Sequence, residues 1–331
     1  MEKMVKSLWR WLLALGLAIG LGGACQPLPK SISPPVPIAS TQSIAVPQPV
    51  ATPLVNASEL WQNLERLSFE RFQPGDRQLA RTYITETLTR YGWQVRRQLF
   101  DRGGVNLIAT RPQAQPHHPR LLVVAHYDSF PGSPGSDDNA TGVAAALEVA
   151  RLWGDRATAH NLEIILFDQE EQGLLGSIAY TAQPQNLNDI IGVINLEMLG
   201  YACDQPGCQT YPQGMPVTPP SNVGDFLAVV GDQEHPQLLG AFANLPAAPP
   251  IVTIPVPFKG VFTPDVLRSD HAPFWAQNIG AVMVTDTANL RNPHYHQASD
   301  TVTTIQRAFF IQSVQQVAHA VNRLLNVPPP E

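Results

Sequence analysis

The chain has 331 residues, enough for one large α/β domain or two small ones. Its 21 lysines and arginines against 27 aspartates and glutamates leave a formal charge of −6. No block of basic residues interleaved with aromatics occurs, so nucleic acid is excluded as an expected partner.

At the N-terminus, Lys3, Lys6 and Arg10 precede the apolar run WLLALGLAIGLGGA, and small residues lead to Cys25. That order of charged, apolar and small residues reads residues 1–24 as a secretory signal. The protein is therefore expected outside the cytoplasm: periplasmic, secreted or held in the cell envelope. Leu8–Ala24, about 17 residues, is also at the short end for a membrane span. The segment GGAC is similar to a bacterial lipoprotein cleavage site, although the leucine lies four residues before Cys25 where three is usual. Cleavage, retention as an anchor and lipidation of Cys25 thus stay open, and the last two would tether the chain to a membrane. Residues 25–54 are too rich in Pro, Ser and Thr to pack and read as an extended tether. One folded domain is expected over residues 55–328.

Helical periodicity appears in ASELWQNLERL near Ser58 and in DRQLARTYITETLTRYGW near Asp76. QVRRQLF and VNLIAT read as a hairpin-like edge pair, and LLVVAH as a strand covered on both faces. The helix TGVAAALEVARLW follows, then strand NLEIILFDQE, a helix around GLLGSIAYTA, and strand IIGVINLEM. After a Pro-rich loop come strand FLAVVG, helix HPQLLGAFANL, strand IVTIPV, the short helix HAPFWAQN and strand AVMVTDT. The long helix TIQRAFFIQSVQQVAHAVNRLL closes the domain. This alternation predicts a single three-layer α/β/α domain with a mostly parallel central sheet, whose ligands would bind beyond the carboxyl ends of the strands. Outside the cytoplasm, Cys203 and Cys208 in CDQPGC are expected to form a disulfide; a zinc site of the CxxxxC type would need a second such pair.

Polar ligands accumulate where the strands end. AHYDSFPGSPGSDDNATG sets a histidine and three aspartates after an apolar strand, with no lysine or arginine within it. Uncompensated carboxylates at a buried edge cost several kcal/mol, about 3 or more, unless a cation joins them. FDQEEQG carries adjacent Glu170 and Glu171, INLEMLG ends a strand in Glu197, and NPHYHQASDT holds His294 and His296. Each has a bland reading by itself, and Asp137 in particular suits a helix cap. Together at consecutive strand ends they form a histidine–carboxylate set suited to zinc, manganese or cobalt. His117, His118, His160, His235 and His319 receive no ligand role. A helical HExxH and a GxSxG elbow are both absent, which removes thermolysin-like and α/β-hydrolase chemistry.

In order, HYDS, DDNATG, EEQGLLGS, NLEMLG, SDHAPFW and YHQASDT resemble the secreted di-zinc aminopeptidases, a superfamily that includes glutamate carboxypeptidase-like enzymes and glutaminyl cyclases. The likeness covers roughly Arg120–Thr301. It implies the zinc-exopeptidase (phosphorylase/hydrolase-like) fold and two Zn²⁺ ions, with Mn²⁺ or Co²⁺ as substitutes. By resemblance, His126 and Glu197 hold one ion, Glu171 and His296 the other, and Asp138 bridges them. Glu170 matches the general base, Asp128 the carboxylate that orients the His126 ring, and Tyr295 a phenol that supports the oxyanion. The family often has aspartate at the place of Glu197.

The activity implied is hydrolysis of peptides with a free N-terminus, with Phe262, Phe274 and Trp275 as candidate walls for an uncharged side chain. A one-zinc glutaminyl-peptide cyclotransferase is the alternative enzyme. Cyclases tend to carry an acidic pair and a tryptophan where this chain has Ser269 and Tyr295, which favours hydrolysis. A non-catalytic peptidase-like binding domain is the third reading.

Overall fold

Strands that are apolar on both faces need cover on both, and the helices divide accordingly. The computed structural model describes residues 51–211, 221–246 and 248–326; the signal, most of the tether and Cys25 lie outside them. Helix α1 (Ala57–Leu67) and α2 (Pro74–Arg90) lead into the hairpin of β1 (Gln94–Phe100) and β2 (Gly104–Thr110). Then follow β3 (Arg120–His126), α3 (Gly142–Trp153), β4 (Asn161–Phe167), α4 (Leu175–Thr181) and β5 (Ile190–Glu197). The C-terminal part comprises β6 (Leu227–Asp232), α5 (Pro236–Gly240), β7 (Ile251–Val256), α6 (Ala272–Ala276), β8 (Ala281–Thr285) and α7 (Arg307–Asn326).

The eight strands form one sheet in the order β1-β2-β4-β3-β5-β8-β6-β7. Its centre, β4-β3-β5-β8, is parallel. The expected edge hairpin is antiparallel, β2 runs antiparallel to β4, and β6 turns against β8 while pairing with β7 in parallel. Alternate strand residues enter two cores. Leu121, Val123 and Ala125 of β3 pack with α1, α2, α3, α5 and α7, whereas Leu122 and Val124 pack on the opposite face with Tyr180 of α4 and Phe274 and Trp275 of α6. The single three-layer domain follows directly.

Among the helices shorter than the periodicity predicts are α4, α5 and α7. α7 starts at Arg307 because the Gln306 amide donates to the Gly200 carbonyl, 2.8 Å away, and Ile305 stays extended. α4 starts at Leu175 because Glu170–Gln172 form a 3₁₀ turn and Leu174 takes a left-handed φ of 60°. α5 covers Pro236–Gly240 only, and the rest of its predicted span is turn. Cys203 and Cys208 form the expected disulfide, next to a bridge between Cys203 and Gly224. Among the described residues no helix is long and apolar enough to cross a membrane.

Candidate metal centre

The carboxyl ends of the parallel strands bring the predicted ligands together. His126 is the last residue of β3 and Glu197 the last of β5. Glu170 and Glu171 occupy the 3₁₀ turn after β4, and His296 lies in the loop after β8. Asp138 sits in a π turn, Ser136–Thr141, before α3, and the Asp138–Asn139 peptide is cis.

The two oxygens of Asp138 face different imidazoles. His126 Nε2 lies 3.3 Å from Oδ1, and His296 Nε2 lies 3.2 Å from Oδ2. On one side His126 Nε2 also meets Glu197 Oε1 at 3.5 Å; on the other His296 Nε2 meets Glu171 Oε2 at 3.1 Å. Two groups result, His126 with Glu170 and Glu197, and Asp138 with Glu171 and His296, each with ligand atoms within 4.8 Å of one another.

Backbone and side-chain contacts hold this arrangement. Asp128 lies 3.4 Å from His126 Nδ1, an ion-pair contact longer than a good hydrogen bond, and its two oxygens accept the amides of Glu170 and Glu171 at 3.1 and 3.2 Å. It therefore ties the histidine and the glutamate pair to one carboxylate. Glu197 accepts from Ser269 Oγ at 2.5 Å, and that hydroxyl accepts from Asn195 Nδ2 at 2.7 Å. Asp300 accepts the amides of Asp137 and Asp138. Asn139 Oδ1 accepts from the Gly142 and Met198 amides, joining the start of α3 to the end of β5. The approach is close enough that a Cβ at Gly142 would overlap the Asn139 side chain.

Asp137 is a cross-brace rather than a helix cap. It accepts from the Gly200 amide at 2.9 Å and from Asn292 Nδ2 at 2.7 Å, while α3 begins only at Gly142. Phe274 and Trp275 pack in the second core and do not wall the cavity; Phe262 does. Sequence reasoning also missed Phe130, whose ring stacks on His296 at 4.0 Å while Tyr295 stacks at 3.7 Å. Buried Arg71 escaped it too: it donates to the carbonyls of Leu67, Phe69, Tyr127, Pro134 and Gly135, bracing the loop that leads to Asp138. No motif marks Phe130 or Arg71, because each acts through a loop remote from it in sequence or through stacking.

The electrostatics fit divalent cations. Burial, with Glu197, Asp270 and Glu171 nearby, pushes the Glu170 carboxyl well above its ordinary value. Burial and then Asp138 push Glu171 up to about 7. Burial opposes the His126 and His296 cations, yet adjacent carboxylates outweigh it: Glu197 and Glu170 raise His126 well above its ordinary value, and Asp138 and Glu171 bring His296 up to about 9. Glu171 Oε1 is buried without a hydrogen-bond partner. Carboxylates gathered at this density need positive charge, and imidazole plus carboxylate is a zinc donor set. The residues present therefore fit divalent cations of the zinc type.

A cavity of about 690 Å³ opens beside this centre. Ala228, Val230, Val252, Ile254 and Met283, from β6, β7 and β8, form its apolar floor. It lies on the sheet face that carries α4 and α6.

The sequence profile of peptidase family M28 matches residues 106–321. Escherichia coli YfbL, a protein of uncharacterised function, is 33% identical over 221 residues, covering 62% of this chain and 66% of its own length, just short of two thirds. Among solved structures, the LapA aminopeptidase of Legionella pneumophila superposes with a TM-score of 0.66 at 18% identity, over 82% of this chain and 73% of that one. The glutaminyl cyclase of Porphyromonas gingivalis superposes with a TM-score of 0.61 at 20% identity, over 83% of this chain and 99% of that one. These two likenesses show the shared fold and do not choose between the reactions in their names.

Proposed function

The chain belongs to peptidase family M28, and from that premise we propose that it is an exported zinc-dependent aminopeptidase. The observation that carries this reading is Asp138, with each oxygen turned to a different histidine at 3.3 and 3.2 Å. Such a carboxylate suits a pair of ions, with His126 and Glu197 holding one and Glu171 and His296 the other. When bound, the pair would supply Lewis acidity to the scissile carbonyl and acidify water.

The chain's own groups then divide the work. Glu170 accepts the proton of the attacking water and returns it to the departing amine as the C–N bond breaks. Tyr295 Oη accepts from Arg268 Nη2 at 2.9 Å, which leaves the phenol proton free to meet the oxyanion. Asp128 keeps His126 and the Glu170–Glu171 turn in register. Glu170 and Glu197 also offer acceptors for a free α-ammonium, and the apolar floor suits an uncharged N-terminal side chain. Residues 1–24 serve as the export signal, 25–54 as a tether and 55–328 as the catalytic domain; lipidation of Cys25 would hold it at a membrane.

Unblocked leucyl or phenylalanyl peptides should be cleaved, and N-acetylation should nearly abolish turnover. Equal turnover of blocked and free substrates sinks the aminopeptidase reading. N-terminal glutamine should not be cyclised efficiently, because Ser269 and Tyr295 stand where cyclases tend to have an acidic pair and a tryptophan. A non-catalytic role would leave every peptide in the panel intact.

A further inference from the structure

Arg268 has no task in holding the metal ligands. It sits just before the Ser269 that supports Glu197, is exposed, and lines the cavity. Among the described lining residues it alone carries a permanent positive charge. Nη1 donates to Asn289 Oδ1 at 3.0 Å and Nη2 to Tyr295 Oη at 2.9 Å. Both contacts are to neutral oxygens. Asp265 lines the same cavity, yet none of the ion pairs among the described residues involves Arg268. Its guanidinium is thus oriented on two sides by neutral oxygens and makes no ion pair within the described residues, although the acidic metal ligands and Asp265 line the same cavity. A guanidinium held in that way is suited to receive a carboxylate.

We propose that Arg268 reads a carboxylate of the substrate, either the C-terminus of a short peptide or an acidic N-terminal side chain. The inference rests on the aminopeptidase reading and on Tyr295 meeting the scissile carbonyl. The guanidinium then lies one hydrogen bond beyond that carbonyl. One residue step along a peptide is about 3.8 Å, so the C-terminal carboxylate of a dipeptide comes within reach of Arg268. An acidic N-terminal side chain would present the same chemistry from the other side of the scissile bond. Long peptides with neither group would gain nothing from Arg268.

The test compares three substrates on the zinc-loaded protein: Leu-Gly, Leu-Gly amide and Glu-Gly amide. With Leu-Gly amide as reference, wild type should favour a carboxylate-bearing substrate by about tenfold or more in kcat/KM, as a hydrogen bond to a charged group is worth. The gain should appear mainly in KM, because the contact forms in ground and transition states alike. Arg268→Ala should bring the ratio near one, and Arg268→Lys should restore part of it. Taking the ratio cancels any common loss through Tyr295. A preference for Leu-Gly identifies the C-terminus as the group read, and one for Glu-Gly amide identifies the side chain. A ratio that is near one in wild type, or unchanged in Arg268→Ala, overturns the inference while Leu-Gly amide turnover leaves the aminopeptidase reading standing. If none of the three is cleaved, both fail.

Discussion

Glu170 and Glu171 are neighbours in sequence but face different groups: Glu170 joins His126 and Glu197, whereas Glu171 meets His296 at 3.1 Å. Glu170→Gln should lower turnover by about 10²–10⁴ with metal content intact, since the amide cannot accept the proton. Glu171→Gln should lower metal occupancy as well, read by elemental analysis. Near-native activity in Glu170→Gln would refute the division of labour.

His271 permits a pH prediction away from the ligands. Burial lowers its pKa to about 4, although its contact with the Val266 carbonyl favours the charged form. Its folded value lies below the unfolded one of about 6.5, so the stability tied to the neutral ring is present above pH ~6.5 and lost as pH falls toward 4. The loss approaches about 3 kcal/mol below that point. Urea denaturation of wild type and His271→Gln across this window should differ in slope, the variant losing less; parallel slopes would reject it.

At the scale of elements, the loop from β3 to α3 carries Asp138 yet contains no regular structure before its π turn. Arg71, between α1 and α2, supplies the missing rigidity through five carbonyl contacts. Arg71→Met keeps much of the volume but strands those carbonyls, and should cost about 3–5 kcal/mol in urea denaturation. A shift within about 0.5 kcal/mol, the scale of an unremarkable surface change, would show that the loop holds itself. The Cys203–Cys208 disulfide closes a far shorter loop, its partners standing five positions apart. Its removal should cost less than the roughly 3 kcal/mol expected for closing a loop of about 15 residues. A larger loss on Cys203→Ser with Cys208→Ser would give the bridge a wider role than bracing one turn.

For the whole molecule, the prediction is metal stoichiometry. Elemental analysis of zinc-reconstituted protein should approach two ions per chain. A value that stays near one would favour the cyclase-like arrangement. Chelation should lower the thermal midpoint, because ions that bind only the folded state stabilise it.

Much of the architecture is legible in the residue order. Apolar runs bounded by charge mark the central strands, since a strand buried on both faces has no place for polar side chains until it ends. The same rule puts His126 and Glu197 at strand ends, and six ordered segments supply the rest of the ligand set by resemblance. Tertiary structure alone decides which oxygen meets which histidine, because that depends on strand order β4-β3-β5-β8 and on the π turn before α3. It moves Asp137 from cap to brace and withdraws Phe274 and Trp275 into the core. It also reveals Arg71, Phe130 and Arg268, whose roles arise from contacts made across the chain. Local patterning records burial and turn chemistry; a contact between residues dozens of positions apart leaves no periodic trace, and only packing creates it.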